Sequence, residues 1–182
     1  MVETLLKKVS ASLNREKIPY MVIGGQAVLV YGSARLTRDI DITLGVDTEA
    51  YKTVLALSKK LGLRILPRDA KVFVEETRVL PTEDPVSKFR VDFIFSNTPY
   101  ERQAIQRARR ISLKGSVVRF ASLEDLIIHK VFAGRPIDLE DVRVLMLRHR
   151  GKVDLRYIRR WLRMFAKLTE KRNLFKDFNR LL

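Results

Sequence analysis

Ile23-Gly24-Gly25-Gln26-Ala27-Val28, followed shortly by Arg38-Asp39-Ile40-Asp41-Ile42-Thr43, is the stretch on which the reading of this chain turns. An apolar segment ends in a glycine pair, and a second apolar segment carries two acids one residue apart. Residues i and i+2 of a strand project to one face, so Asp39 and Asp41 stand together while Ile40 and Ile42 turn towards a core. Two adjacent carboxylates repel unless a proton or a cation lies between them. A hard divalent ion with oxygen ligands answers that need, and Mg²⁺ is the usual one where phosphates are also handled. The glycine pair by itself reads first as a tight strand-to-helix turn; it would also let a phosphate approach the backbone closely, with amide hydrogens at the start of the following helix as its cradle.

Outward from this stretch, the periodicity predicts a helix over residues 3–17, with Leu5, Leu6, Val9 and Leu13 on one side, ended by Pro19. Tyr20–Ile23 reads as a buried strand and Gly24-Gly25 as its turn into a helix reaching about Tyr31. Asp39–Leu44 is the acid-bearing strand. A helix from Thr48 to Leu61 is capped near Asp47 and closed by Gly62. Leu63–Leu66 and Lys71–Glu76 read as strands, the second because it alternates, and Pro81–Pro85 as a loop. Phe89–Phe95 is a further strand in which Asp92 is the lone acid. A helix from Pro99 to Ala108 and a hairpin of Arg110–Leu113 with Val117–Phe120 around Lys114-Gly115 follow. Beyond this the chain is helical: a capping box at Ser122-Leu123-Glu124-Asp125, a helix opened by Asp138 and stopped by Gly151, and a last amphipathic helix from Asp154. The expected organisation is an α/β core over 1–121 with a helical segment over 122–182 packed on it, and no linker between them.

The 182 residues suffice for one domain with a proper core and a helical appendage. Without cysteine, disulfides, zinc–thiolate sites and thiol catalysis are excluded. The opening residues have no apolar signal core and no window approaches a membrane span, so a cytoplasmic, membrane-free protein is expected. A formal charge of +15 favours polyanionic partners, nucleic acid first.

The motifs together resemble the nucleotidyltransferase superfamily of polymerase-β-like fold, nearest to its minimal branch and to the toxin-type branch of bacterial abortive-infection systems. The resemblance rests on Gly24 and Gly25, thirteen intervening residues, Asp39 and Asp41, and a third acid, Asp92, on a later strand. It also rests on Gln26-Ala27-Val28, Tyr31-Gly32, Arg35, Thr37, Leu123–Lys130, Arg135 and Asp138–Asp141. It implies an α+β fold, a mixed sheet flanked by helices, and NMP transfer from an NTP such as ATP onto a hydroxyl. Asp39 and Asp41 would bind Mg²⁺, or Mn²⁺ in its place, and Asp92 would complete the metal site and help activate the attacking hydroxyl. Lys130 occupies a position that this family uses towards nucleotide phosphate. Asp138 and Asp141, at i and i+3 on a helix, would orient Lys130 or Arg135. Arg35 and Arg38 flank the acid strand as phosphate clamps.

Arg156, Arg159, Arg160, Arg163 and Lys167 recur at helical steps as a basic ridge, a candidate RNA track. His129 and His149 lack metal-ligand spacing and read as structural, and Trp161 reads as packing. The acceptor that the charge favours is an RNA end, tRNA-like. The alternatives are a protein side chain, a non-catalytic nucleotide or nucleic-acid-binding module, and a toxin–antitoxin component with a cognate antitoxin partner.

Overall fold

The computed structural model describes residues 2–32, 37–96, 98–113, 115–169 and 173–181. By its internal contacts the chain divides into two units, Met1–Gln26 with Leu36–Ala121, and Ala27–Arg35 with Ser122–Leu182.

The first unit is built on a seven-stranded mixed sheet. Its strands are β1 (Tyr20–Ile23), β2 (Asp39–Leu44), β3 (Arg64–Ile65), β4 (Val79–Glu83), β5 (Arg90–Phe95), β6 (Arg109–Leu113) and β7 (Ser116–Phe120). They are ordered β3-β4-β5-β2-β1-β7-β6. Pairings β2–β5 and β1–β7 are parallel and the rest antiparallel. Apolar side chains at every second position set the register: Ile40, Ile42 and Leu44 of β2 and Val91, Phe93 and Phe95 of β5 are fully buried. A one-residue slip would carry all of them to the face that holds the acids. The helices of this unit are α1 (Val2–Arg15), α3 (Tyr51–Lys60), α4 (Ala70–Thr77) and α5 (Pro99–Gln106), while α2 (Gly24–Val30) begins in it and continues in the second unit. A turn of 3₁₀ helix over Thr48–Ala50, capped by the Asp47 carboxylate, precedes α3.

Three local expectations are corrected. Residues 71–76 form no strand; they lie within α4, because the Asp69 carboxylate accepts the Val72 amide at 3.1 Å and caps a helix. Residues 81–83 are not loop but the end of β4, with Pro81 paired to Asp92. Proline is tolerated there because the Pro81 carbonyl accepts the Leu66 amide at 3.1 Å. In a strand, N and O of one residue point the same way, so the missing N–H faces the edge, where β3 is only two residues long. Third, a further helix follows the one expected to be last.

The second unit is helical: α6 (Leu123–Ala133), α7 (Pro136–Arg148), α8 (Leu155–Leu168) and α9 (Leu174–Asn179). Ser122 caps α6, with the Asp125 amide donating to Ser122 Oγ at 3.1 Å and that hydroxyl donating to the Asp125 carboxylate at 2.6 Å. Tyr157 of α8 donates to the same carboxylate at 2.8 Å and ties the two helices together. Ile158, Trp161 and Leu162 are buried on α8, so Trp161 is a packing residue. His149 is bonded through Nε2 to the Tyr31 carbonyl at 3.0 Å, a structural contact within this unit. Among the described residues no helix is long and apolar enough to cross a membrane.

Candidate active site

The site assembles where β1 ends and β2 begins. Gly24 has φ +65°, and a Cβ there would collide with the Asp41 carboxylate, so both torsion and space demand glycine. A Cβ on Gly25 would stand 2.7 Å from Thr37 Oγ1. Thr37 Oγ1 in turn accepts the Asp39 amide at 3.4 Å, and the Gln26 amide donates to the Asp39 carbonyl at 3.4 Å. The glycine turn and the first acid are thereby fastened to each other.

The third acid arrives through sheet pairing. β2 and β5 lie side by side with Asp41 opposite Asp92 and Asp39 opposite Arg90. Paired residues of neighbouring strands project to the same face, at a strand spacing of about 4.8 Å. Asp39, Asp41, Arg90 and Asp92 therefore form a rectangle of three acids and one guanidinium. Asp39 is exposed and Asp41 and Asp92 partly buried. Arg90 donates to both Asp92 oxygens, at 3.1 and 3.3 Å. Burial pushes the Asp92 carboxyl above the usual carboxylate range; Arg90 pulls against it and the negative charge of Asp39 adds to it. That Asp39 is felt at Asp92 means the acids share one electrostatic field.

An all-oxygen donor set of this kind fits a hard dication such as Mg²⁺. Asp39 and Asp41 present their carboxylates from one strand face, whereas Asp92 is engaged by Arg90. Among the described residues no three acidic or imidazole side chains are already gathered into a metal cage. Asp92 would have to turn from Arg90 to join one.

Other expected residues fall elsewhere. Arg38 is exposed, and its carbonyl accepts the Arg90 amide at 3.0 Å, continuing the β2–β5 ladder. Arg35 lies outside the described residues. Lys130, Arg135, Asp138 and Asp141 come together in the second unit. Lys130 Nζ lies 2.9 Å from Asp138 and 2.6 Å from Asp141 with side-chain exposures of 4%, 1% and 6%. Arg135 reaches Asp138 at 2.6 Å from an exposed position. Burial raises the Asp138 carboxyl, but the bonds from Arg135 and Lys130 outweigh it and leave it below the usual range. In this geometry Lys130 is spent on two carboxylates. Of the basic ridge on α8, Arg156, Arg160, Arg163 and Lys167 are exposed, and Arg159 is partly covered, donating to Asn179 at 3.3 Å. The Arg163 guanidinium lies over the Phe175 ring at 4.4 Å.

Arg90 is the residue that sequence reading passed over. Its signal was available: it stands two before Asp92 in a strand, so it had to share the acid's face.

A family model described as "Nucleotidyltransferase of unknown function (DUF6036)" matches residues 1–179. No curated protein matches. Solved structures share the fold. The solution structure of the antibiotic-resistance factor ANT(2″)-Ia aligns at 18% identity over 94% of this chain and 96% of its own, with a TM-score of 0.63. An antigenic nucleotidyltransferase-like protein from Paracoccidioides brasiliensis aligns at 17% identity over 96% and 92%, with a TM-score of 0.55. The lincosamide antibiotic adenylyltransferase LnuA aligns at 18% identity over 73% and 89%, with a TM-score of 0.51.

Proposed function

The chain belongs to the nucleotidyltransferase family described as DUF6036, and from that premise we propose that it moves NMP from an NTP onto the terminal hydroxyl of an RNA, releasing pyrophosphate. The observation that carries this reading is the pairing of Asp41 with Asp92 in register, beside Asp39 and against the Cβ-less turn at Gly24.

Each group has a task in that transfer. Gly24 and Gly25 make room for the Asp41 carboxylate and for Thr37, and the backbone amides of their turn would face the triphosphate. Asp39 and Asp41 would hold Mg²⁺, or Mn²⁺ in its place, which when bound neutralises triphosphate charge and polarises the α-phosphorus. The partly buried Asp92 carboxylate accepts the proton of the acceptor hydroxyl as the new O–P bond forms and the bond to pyrophosphate breaks. Its carboxyl, raised by burial, is a better proton acceptor than an exposed aspartate. The +15 charge and the exposed basic residues of α8 favour a polyanionic acceptor over a neutral one.

The test incubates the protein with each α-³²P-labelled NTP, Mg²⁺ or Mn²⁺, and total RNA or lysate. Label should pass to RNA, and an Asp39→Asn/Asp41→Asn variant should lose roughly 10²–10³-fold or more of the rate. Label on protein instead would replace RNA by a side-chain acceptor. No labelled acceptor, or equal labelling by the variant, would remove the enzymatic reading.

A further inference from the structure

Beyond Asp92 on the same face of the sheet lies a recess that the reaction described above does not use. Pro81 of β4 is paired with Asp92 and is buried, and Arg90, two residues before Asp92, shares its face. These two residues line one side of a recess of about 450 Å³, whose other side includes Leu66, Arg68, Asp69, Val72 and Phe73. The hollow is wide open to solvent, so an occupant would lie against it and not be enclosed by it. Leu66, Val72 and Phe73 are large apolar side chains left 38%, 46% and 37% exposed, gathered around one hollow. Their exposure costs folding free energy that burial elsewhere would have recovered.

The order of strands gives the recess a direction. The glycine turn follows β1; then come β2 with Asp39 and Asp41, β5 with Asp92, β4 with Pro81, and β3 at the edge. A triphosphate held at Gly24 and the β2 acids lies on the β1 side of Asp92. The recess lies on the opposite side, from which a hydroxyl would attack in line if the pyrophosphate leaves towards Gly24. It is thus on the acceptor's side of the acids and not on that of the NTP.

The geometry points to this recess as the seat of the terminal nucleotide of the acceptor RNA, with its base against Phe73 and its phosphate between Arg68 and Arg90. The assignment rests on the transfer reading above. Single-stranded ends are bound through aromatic stacking and arginine contacts, and the recess has one ring and two arginines among its lining residues. Glu76 on α4 also lines the hollow and supplies an acceptor for a base amine or a sugar hydroxyl. Arg90 would take the incoming phosphate in exchange for Asp92, which frees that carboxylate for the hydroxyl. The binding of the acceptor would itself complete the acid triad.

Two readouts separate this assignment from the transfer reading. The first uses an RNA oligonucleotide ending in 2-aminopurine, with full-length protein and no NTP. Fluorescence should be quenched on binding, the quench should be lost in Phe73→Ala and kept in Phe73→Trp, and a 2-aminopurine placed internally should respond much less. The second is labelled transfer at varied RNA concentration. Phe73→Ala and Arg68→Ala should raise the half-saturating RNA concentration about five- to hundredfold, with the KM for NTP unchanged and Phe73→Trp restoring the wild-type value. RNA labelling with half-saturation and quench unaltered in both alanine variants would overturn the recess and leave the transfer reading standing. A Phe73-dependent quench with no label transferred would do the reverse. A rise in the KM for NTP alone would hand the recess to the nucleotide and overturn the assignment.

Discussion

The rectangle Asp39–Asp41–Arg90–Asp92 and the cluster Lys130–Asp138–Asp141–Arg135 both combine aspartates with basic side chains and sit in opposite environments. The first stands on the open face of a sheet with three acids to one cation, and its lone guanidinium is half in solvent. The second is closed: its lysine and both acids are almost wholly buried, with the lysine ion-paired to each acid at 2.6–2.9 Å. Charge left unbalanced at an accessible place is a demand for a ligand, whereas charge balanced in the interior is a demand only for its own partners. On that ground we propose chemistry for the first cluster and architecture for the second, although the motifs of both entered through the same family resemblance.

The largest effect should come from breaking the closed cluster. Lys130→Met leaves two buried carboxylates facing each other with only the exposed Arg135 to help, and should cost about 3–5 kcal/mol of unfolding free energy in urea. A Lys130→Met/Asp138→Leu/Asp141→Leu variant should recover most of it, since apolar groups of similar size can replace a buried ion set. The opposite outcome, unchanged stability with a raised KM for NTP, would make Lys130 a phosphate ligand and dissolve the distinction between the two clusters.

How much of this could be read beforehand follows from the range of each interaction. Asp39 and Asp41 share a face by the two-residue period of their own strand, and Gly24 and Gly25 mark a turn; both signals are local. That Asp41 lies opposite Asp92 is a pairing across some fifty residues, which no local pattern encodes. Residues 71–76 alternate like a strand, yet only Val74 of α4 is buried. The alternation was real but had no sheet to serve, and the Asp69 cap decided for helix. The apolar residues that this helix leaves outside are the ones that line the recess. Lys130 is held by Asp138 and Asp141, eight and eleven residues along the chain, as the expectation that these two acids orient it requires.

A second effect tests whether the interior of the helical unit governs pH dependence. His129 has Nε2 shut off from solvent, and burial lowers its pKa to about 4 against the opposing charge of Asp125. In the unfolded chain it titrates near about 6.5. Between those values the unfolded state binds a proton that the folded state refuses, so stability falls as pH falls. From pH 7 to pH 5 the loss should be about 2 kcal/mol, measured by urea unfolding at each pH. His129→Gln should flatten that slope, and an unchanged slope in the variant would place the titrating group elsewhere.

The smallest effect belongs to the open face and probes its unbalanced charge directly. A half-exposed pair such as Arg90–Asp92 contributes about 0–1 kcal/mol, so Arg90→Gln should leave stability within about 0.5 kcal/mol. Its electrostatic consequence runs the other way. Removing the guanidinium takes the one positive charge out of the field of three carboxylates and releases Asp92 to turn towards the β2 acids. Mn²⁺ binding, followed by loss of the free-ion EPR signal at pH 7.5, should tighten by up to about fivefold. The same substitution removes a proposed phosphate contact of the recess, so RNA should bind more weakly as the metal binds more tightly. Opposite shifts of the two ligands in one variant are what a guanidinium shared between acid and acceptor requires. If Mn²⁺ affinity does not change, Asp92 lies outside the metal's reach, and the open face divides into a pair of acids and a separate ion pair.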